Sequence, residues 1–469
     1  MYHRSRTTFI FIIFGILVLV ALGTVWYFRG NLKQAAVEQA AERLVADPGQ
    51  RLNLTELLGF NEPRTYLVLL LNNTELRPGG GFIGAYALVK FDHATPQILT
   101  LAGTENLLPN ATLPSPPAPL AKYLKTNAWH FRDSNWSPDF ASSSRVGLDL
   151  YAQEGGAAAA DISGVIGFTP TVIESLLKLV GPITVGDQTY TADNFTEKLE
   201  YEVEYGYSQR GVLFKDRKAA LGELAHALLG RLKISVLTHW SDYLRLAQQL
   251  LDQKQIMVYA KDDILQRLIR ERGWSGEMKA SPEDYLLWVD ANLGSLKTDR
   301  VIKRTLSYTI ASSTKGYLAT ATMRYQHQGK TDWRTSVYRN YARVFVPLGS
   351  TMVGALGGRL EPGALGQGVE NGRRWFGMYI SLAPGQTKEL SFQYLLPPSI
   401  TNAIKQGDYQ LFIQKELGTL SPGLTLNLNF ATTVTWANPG EPAEEHGDSR
   451  YVLKTDLLVD REFRVLLQH

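Results

Sequence analysis

A mixed α/β domain followed by a β-sandwich is the architecture predicted for this chain of 469 residues. Three observations predict it. As far as Leu293, helical apolar periodicity alternates with short continuous apolar runs. From Ser295 onward that periodicity gives way to short strand-like segments divided by Gly, Pro, Ser and Asn. The composition, with 41 Gly and 22 Tyr, leans toward strands and turns rather than helical bundles. The length supplies two or three domains at roughly 100–200 residues each. A formal net charge of +3 excludes a highly basic nucleic-acid binder and an acidic disordered tail protein. The absence of cysteine excludes a disulfide scaffold, a thiolate zinc site, an iron–sulfur cluster and a cysteine nucleophile.

The chain opens with a six-residue tail carrying His3, Arg4 and Arg6, followed by an uncharged apolar run from Thr7 to Phe28. A helix of about 20 residues spans a bilayer core, so residues 7–28 are read as a transmembrane anchor. The basic residues ahead of it place the N-terminus in the cytoplasm, and nothing later approaches such a run, so the bulk of the chain is expected to be extracytoplasmic. A cleaved signal peptide ending at Ala21-Leu22-Gly23 is the rival reading. The apolar run continues past that point through Val25, Trp26, Tyr27 and Phe28, which favours a retained anchor. A cysteine-free chain also suits export. Residues 29–53 read as a stalk helix ending at Asp47-Pro48-Gly49.

In the α/β part, from Leu54 to Leu293, strands are expected at Tyr66–Leu71, Ala85–Phe91, Gln97–Leu101 and Ile256–Tyr259. Five prolines between Pro109 and Pro119 mark a loop. Thr169-Pro170 opens a helix with Thr as N-cap; Val172, Ile173, Leu176, Leu177 and Val180 form its buried stripe, and Gly181-Pro182 ends it. Further helices fit Lys215–Leu232, His239–Gln253 and Asp262–Arg272. In the sandwich, 295–469, seven strands are expected between Val301 and Val434, with terminal strands over Val452–Leu466. That number of short strands suggests an immunoglobulin or fibronectin-like sandwich. Ser350–Gly372, rich in glycine, reads as a long exposed loop.

Gly79-Gly80-Gly81-Phe82-Ile83-Gly84 satisfies G-x-G-x-x-G after a strand, but a strand-like segment follows where a dinucleotide site needs a helix. A glycine-rich hairpin connection or an anion nest of backbone N–H groups remains, with Arg77 as a bidentate partner. Arg132-Asp133-Ser134-Asn135-Trp136-Ser137-Pro138-Asp139-Phe140 is the densest polar and aromatic cluster. It reads either as a loop locked by an Arg132 ion pair over Trp136, or as a site with Arg132 on an anion and Asp133 or Asp139 as base or metal ligand. Ser175-Leu176-Leu177-Lys178 matches S-x-x-K, with no K-T-G elsewhere. The eight histidines are scattered without zinc spacing.

Asn72–Gly84, Arg132–Phe140, Asp161–Pro170, Gly181-Pro182-Ile183 and Asp290-Ala291-Asn292-Leu293-Gly294 together resemble domain-of-unknown-function family 4012, in order along nearly the whole chain after the anchor. That resemblance implies a membrane-anchored bacterial envelope protein with no established activity. Asp161–Val185 and the anchor-plus-α/β layout also resemble the LytR–CpsA–Psr phosphotransferases, which attach lipid-pyrophosphate-linked glycopolymers to the wall using arginines and a magnesium-holding aspartate. Here Arg77 is followed by Pro78 instead of that family's Arg-Ser-Asp-Thr element, and Arg132-Asp133 matches its Pro-Arg-Asp element only in part.

The functional expectation is therefore an extracytoplasmic binding or assembly role in the cell envelope. Arg77, Gly79, Gly80, Gly81, Arg132, Asp133 and Asp139 are expected to line a pocket for an anionic, phosphate-bearing envelope ligand. A transferase of lipid-linked pyrophosphoryl glycopolymers is the alternative, and a sensor or adhesion module a further one. No catalytic residue is named, and no cofactor is expected unless the transferase alternative brings magnesium. The partners expected are the membrane, through one helix, and an envelope glycopolymer or lipid-linked pyrophosphate, with no nucleic acid.

Overall fold

The structure, a computed structural model, describes residues 55–209, 220–294, 296–358, 364–442, 444 and 447–468. The expected tail, anchor and stalk, residues 1–53, lie outside them. Among the described residues no helix is long and apolar enough to cross a membrane.

The first unit is built on a five-stranded sheet of order β3-β2-β1-β4-β7, with β1 Arg64–Asn72, β2 Phe82–Asp92, β3 Thr95–Gly103, β4 Ile162–Phe168 and β7 Ile256–Ala260. β1 runs parallel to β4, and the other pairings are antiparallel. Continuous apolar runs such as Tyr66–Leu69 are buried because both faces of the sheet are covered. One face packs on α3 Pro170–Val180, α4 Phe195–Tyr201, α5 Ala220–Asp252 and α6 Asp263–Glu271; the other packs on α2 Phe140–Gln153. α1 Ala118–Leu124 lies outside these layers, and β5 Ile183–Val185 pairs with β6 Gln188–Tyr190 in a small hairpin.

α3 forms where expected, with Val172, Ile173, Leu176 and Leu177 buried and Gly181 ending it at φ +79°. Thr169, however, makes no side-chain cap. Its hydroxyl donates instead to Gln255 Oε1 at 2.6 Å, tying the start of α3 to the approach to β7. The two helices expected between Lys215 and Gln253 appear as α5, bent at His239 (φ −128°).

The second unit stacks two sheets. One is ordered β12-β15-β10-β9-β17-β19, the other β13-β14-β11-β8-β16-β20-β18. The first holds β9 Ile302–Ser313, β10 Gly316–His327, β12 Thr351–Leu356, β15 Thr387–Leu395, β17 Gly423–Asn429 and β19 Arg450–Asp456. The second holds β8 Asp284–Asn292, β11 Tyr338–Pro347, β13 Gly366–Glu370, β14 Arg373–Leu382, β16 Asp408–Gln414, β18 Val434–Asn438 and β20 Arg461–Leu467. A single core lies between them, with Leu306, Tyr308, Ala321, Phe392 and Leu426 facing Trp288, Val344, Phe376 and Leu411. A short helix, α7 Pro398–Lys405, closes one end.

Three expectations are corrected. The sandwich is larger than an immunoglobulin-like unit and contains parallel pairs, β8 with β16 and β9 with β17. Ser350–Gly372 is not simply a loop, since it carries the edge strands β12 and β13, whose glycines had masked the alternation. The boundary expected between Leu293 and Ser295 falls after β8, yet β8 sits in the middle of the seven-stranded sheet. Every residue of β8 is buried, so no polar/apolar alternation signals it.

Asp284 begins β8 wholly buried, accepting hydrogen bonds from Tyr308 Oη (2.7 Å), Tyr409 Oη (2.6 Å) and Tyr285 N (2.8 Å). Burial pushes its carboxyl from 3.8 up to about 6, with the tyrosine hydroxyls pulling the other way. An acid raised on folding contributes stability that is full below its unfolded pKa and is lost as pH rises through its folded value. Asp284→Asn should therefore remove a pH-dependent loss on the order of 2–3 kcal/mol between about pH 4 and about pH 6. Urea titrations of variant and parent across that window check it. Parallel stability curves would refute it.

Candidate functional site

The chain leaves β1 at Asn72, turns through Asn73–Gly81 and returns as β2. Asn72 Oδ1 accepts from Thr74 N (3.0 Å), which starts the turn. Arg77 is buried at its centre. Nη1 donates to Asn292 O (2.5 Å) and Leu76 O (3.2 Å), Nε donates to Asp133 Oδ1 (3.2 Å), and Nη2 reaches Glu75 Oε1 (3.4 Å). Its guanidinium also lies over the Phe82 ring, 5.2 Å from the centroid. Burial raises the Glu75 carboxyl, with Arg77 and Lys297 acting against that.

The glycines serve close approach. A Cβ on Gly79 would stand 2.6 Å from Asn135 Cβ, and one on Gly81 (φ +139°) 2.6 Å from the Asn72 carbonyl. Gly79 N donates to Asn135 O and Gly80 N to Arg77 O, both at 2.9 Å, while Asn135 Nδ2 donates to Gly81 O at 2.6 Å. Two of the amides expected to form an anion nest are thus already bonded to carbonyls. The glycine loop and the Arg-Asp cluster do meet, as expected, and the β8 end joins them: Asn292 N donates to Leu76 O at 3.0 Å. Three segments far apart in sequence converge on Arg77.

The remaining predicted residues separate. Asp139 caps α2, accepting from Ser142 N and Met278 N, both at 2.8 Å. Trp136 lies beneath the buried Arg343, 4.6 Å from ring centroid to guanidinium, and its carbonyl accepts from Arg343 Nη2 at 2.6 Å. This clasps the segment 132–140 to the sandwich. Asp133 Oδ2 lies 3.7 Å from Arg132 Nε. The aspartates proposed for magnesium therefore face arginines and backbone N–H groups, a donor set that does not fit a divalent cation. Among the described residues no group of three or more His, Asp or Glu could hold a metal ion.

Arg132 is the exception, with its side chain 49% exposed. It stands on the rim of a cavity of about 310 Å³ at the carboxyl ends of β1 and β4. β2 flanks β1 on one side and β4 on the other, so the cavity opens over the ends of three neighbouring strands. The walls are apolar: Leu71, Phe82, Phe168, Ile173, Phe195 and Leu199. A five-residue π-helical stretch, Glu202–Gly206, continues α4 and contributes Val203 and Glu204 to the wall; such widened turns recur at functional sites. The acidic rim groups have protein partners. Glu200 accepts from Thr74 Oγ1 (2.5 Å), Asn72 Nδ2 (3.2 Å) and Arg334, and Glu204 pairs with Lys297 at 3.2 Å.

Apart from Arg132 and the buried stripe position Ile173, sequence reasoning missed this pocket. Its lining comes from many separate elements, β1, β2, β4, α3, α4 and α5 among them, and α4 carries no strong periodic signal.

Residues 61–204 match the family model described as a protein of unknown function, DUF4012. Over this segment the chain is similar to that family. The segment holds β1 to β4, α1 to α4 and the Arg77 junction, while the Asn292 end of that junction lies outside it. No curated protein matches the chain. Among solved structures, a Legionella pneumophila protein described as a candidate nutrient binding protein aligns at 7% identity and TM-score 0.25, covering 39% of this chain and 71% of that one. A mutant two-domain M1 zinc metallopeptidase bound to L-tryptophan aligns at 11% identity and TM-score 0.15, covering 35% and 42%. An M1 zinc metallopeptidase from Deinococcus radiodurans bound to a Tyr-Ser-Ala substrate aligns at 12% and 0.15, covering 36% and 43%. Superpositions this loose carry nothing about activity.

Proposed function

We propose that the chain is a membrane-anchored, extracytoplasmic binding protein of the bacterial envelope whose ligand is amphipathic. The apolar part fills the cavity beside α3 and α4, and an anionic group rests on Arg132. The observation that carries this reading is an apolar cavity at the carboxyl ends of β1 and β4 with a half-exposed arginine on its rim. Apolar walls favour a hydrocarbon ligand by about 25 cal/mol per Å² buried. The arginine adds a charge-assisted contact to an anionic head. The uncharged run Thr7–Phe28 supports the anchored, exported setting. The binding reading stands ahead of the transferase because Asp133 and Asp139, its only proposed acid–base or metal residues, are committed to arginines and backbone N–H groups.

Dodecyl phosphate, dodecanol and inorganic phosphate test it by calorimetry on the full chain in detergent. Dodecyl phosphate should bind tightest. Leu199→Trp, which fills the cavity from its half-buried wall, should abolish binding. Arg132→Ala should weaken dodecyl phosphate at least tenfold, about 1.4 kcal/mol, with dodecanol and unfolding unchanged. Loss of stability with unchanged binding would make the Arg132 cluster structural, and indifference to Leu199→Trp would dismiss the cavity.

A further inference from the structure

A second, larger cleft of about 730 Å³ lies between the first unit and the sandwich. Its walls are α3, the stretch Asp299–Thr305 leading into β9, and the loop Gly418–Gly423 between β16 and β17. α3 divides its two faces by helical spacing. Val172, Ile173, Leu176 and Leu177 are buried, while Thr171, Glu174 and Lys178 line the cleft. The walls are tied together before any ligand arrives: Asn73 Nδ2 donates to Thr171 Oγ1 (3.0 Å) and to Gly418 O (2.9 Å), and Leu76 N donates to Asp299 Oδ2 (2.9 Å). Such preorganisation lowers the entropy cost of binding.

The cations lining the cleft differ from those packed around it. Neighbouring cations are neutralised: Arg304 by Asp290 and Asp299, Lys297 by Glu204, Arg334 by Glu200, Lys254 by Asp460. Lys178, Arg300 and Lys303, all exposed in the cleft, make no ion pair among the described residues. Two carboxylates share the space. Glu174 accepts from the Thr196 hydroxyl, and Asp193 is exposed.

We infer that this cleft binds an acidic saccharide, its anionic groups on Lys178, Arg300 and Lys303 and its hydroxyls on Glu174, Asp193 and the side chains of Asn73 and Thr171. A polyanion without hydroxyls would meet two carboxylates with nothing to donate to them. A neutral sugar would leave three converging cations unmatched. A ligand carrying both anions and hydroxyls satisfies the whole set. The inference uses no residue of the Arg132 cavity wall except Thr196, which backs both, so the two proposals stand or fall separately.

Labelled oligogalacturonate, its uncharged counterpart oligogalactose, and polyphosphate are the probes, read by fluorescence anisotropy on the full chain. Oligogalacturonate should bind saturably, oligogalactose should not, and polyphosphate should bind at least tenfold more weakly. The triple variant Lys178→Ala, Arg300→Ala, Lys303→Ala changes only exposed side chains and should keep its unfolding midpoint while losing at least tenfold in oligogalacturonate affinity. Leu199→Trp should leave that affinity intact. Absence of saturable binding, equal affinity in the triple variant, or polyphosphate binding as tightly as oligogalacturonate would each overturn the inference.

Discussion

Arg77→Ala should lower the unfolding free energy by about 3–5 kcal/mol, the cost of breaking a buried, hydrogen-bonded ion cluster by removing one member. The loss has three sources. Asp133 would keep only the long contact to Arg132, at 3.7 Å. Glu75, already raised by burial, would lose the largest charge that offsets it. The Asn292 carbonyl would lose a 2.5 Å charge-assisted donor where β8 meets the glycine loop. Arg77→Lys should recover only part of the loss, because one ammonium cannot serve Asn292 O, Asp133 and Glu75 in the fork geometry a guanidinium provides. Urea unfolding of the three proteins at one pH decides it. A loss below about 1 kcal/mol for Arg77→Ala, the level of a surface pair, would mean the junction is not a keystone.

Local pattern made much of the fold legible. β1, the body of β2 and β3, α3, β7 and α6 declare themselves by apolar runs or by helical spacing of apolar residues, and the structure places them there. Failures occurred where tertiary burial overrode local signals. β8 is buried on both faces, so Tyr285-Leu286-Leu287-Trp288-Val289 shows no alternation and lies beside an apparent change of character. Thr169 has an N-cap's identity and position, but Gln255, distant in sequence, takes its hydroxyl.

The candidate site was legible as chemistry and illegible as geometry. Arginine beside glycines, and an Arg-Asp-aromatic cluster, signalled two polar centres that meet. Nothing local could show that Arg77 points inward to Asn292 O, since that partner lies on a strand the sequence did not reveal. Arg132 and Asp133 are adjacent, yet one opens to a cavity and the other turns to Arg77. The cavity and the cleft both take their walls from several elements, and such surfaces exist only once topology has assembled them.

A fragment beginning at Ser295 should fail to fold, whereas one beginning at Lys279 should fold and unfold cooperatively. The difference is β8. It pairs antiparallel with β11 and parallel with β16, so its removal splits the seven-stranded sheet into β13-β14-β11 and β16-β20-β18. It also takes Leu286 and Trp288 out of the sandwich core, and large side chains lost from a core cost about 2–5 kcal/mol each. Buried partners would be orphaned as well. Tyr308 and Tyr409 both donate to Asp284, while Tyr325, Asn340 and Arg304 donate to Asp290. Summed, these losses reach the whole stability of an ordinary domain, about 5–15 kcal/mol. Circular dichroism with urea titration of both fragments is the measurement, and a cooperative transition in the Ser295 fragment would show that the sandwich folds without β8. If the Lys279 fragment also fails while the full chain folds, the reason is the outer face of the sheet. There Tyr285, Leu287 and Val289 pack on Met278 and Trp375, and Ala291 and Leu293 pack against Leu120 and Trp136 of the first unit. In that case α1 and the segment around Trp136 are required cover, and the two units share one cooperative core.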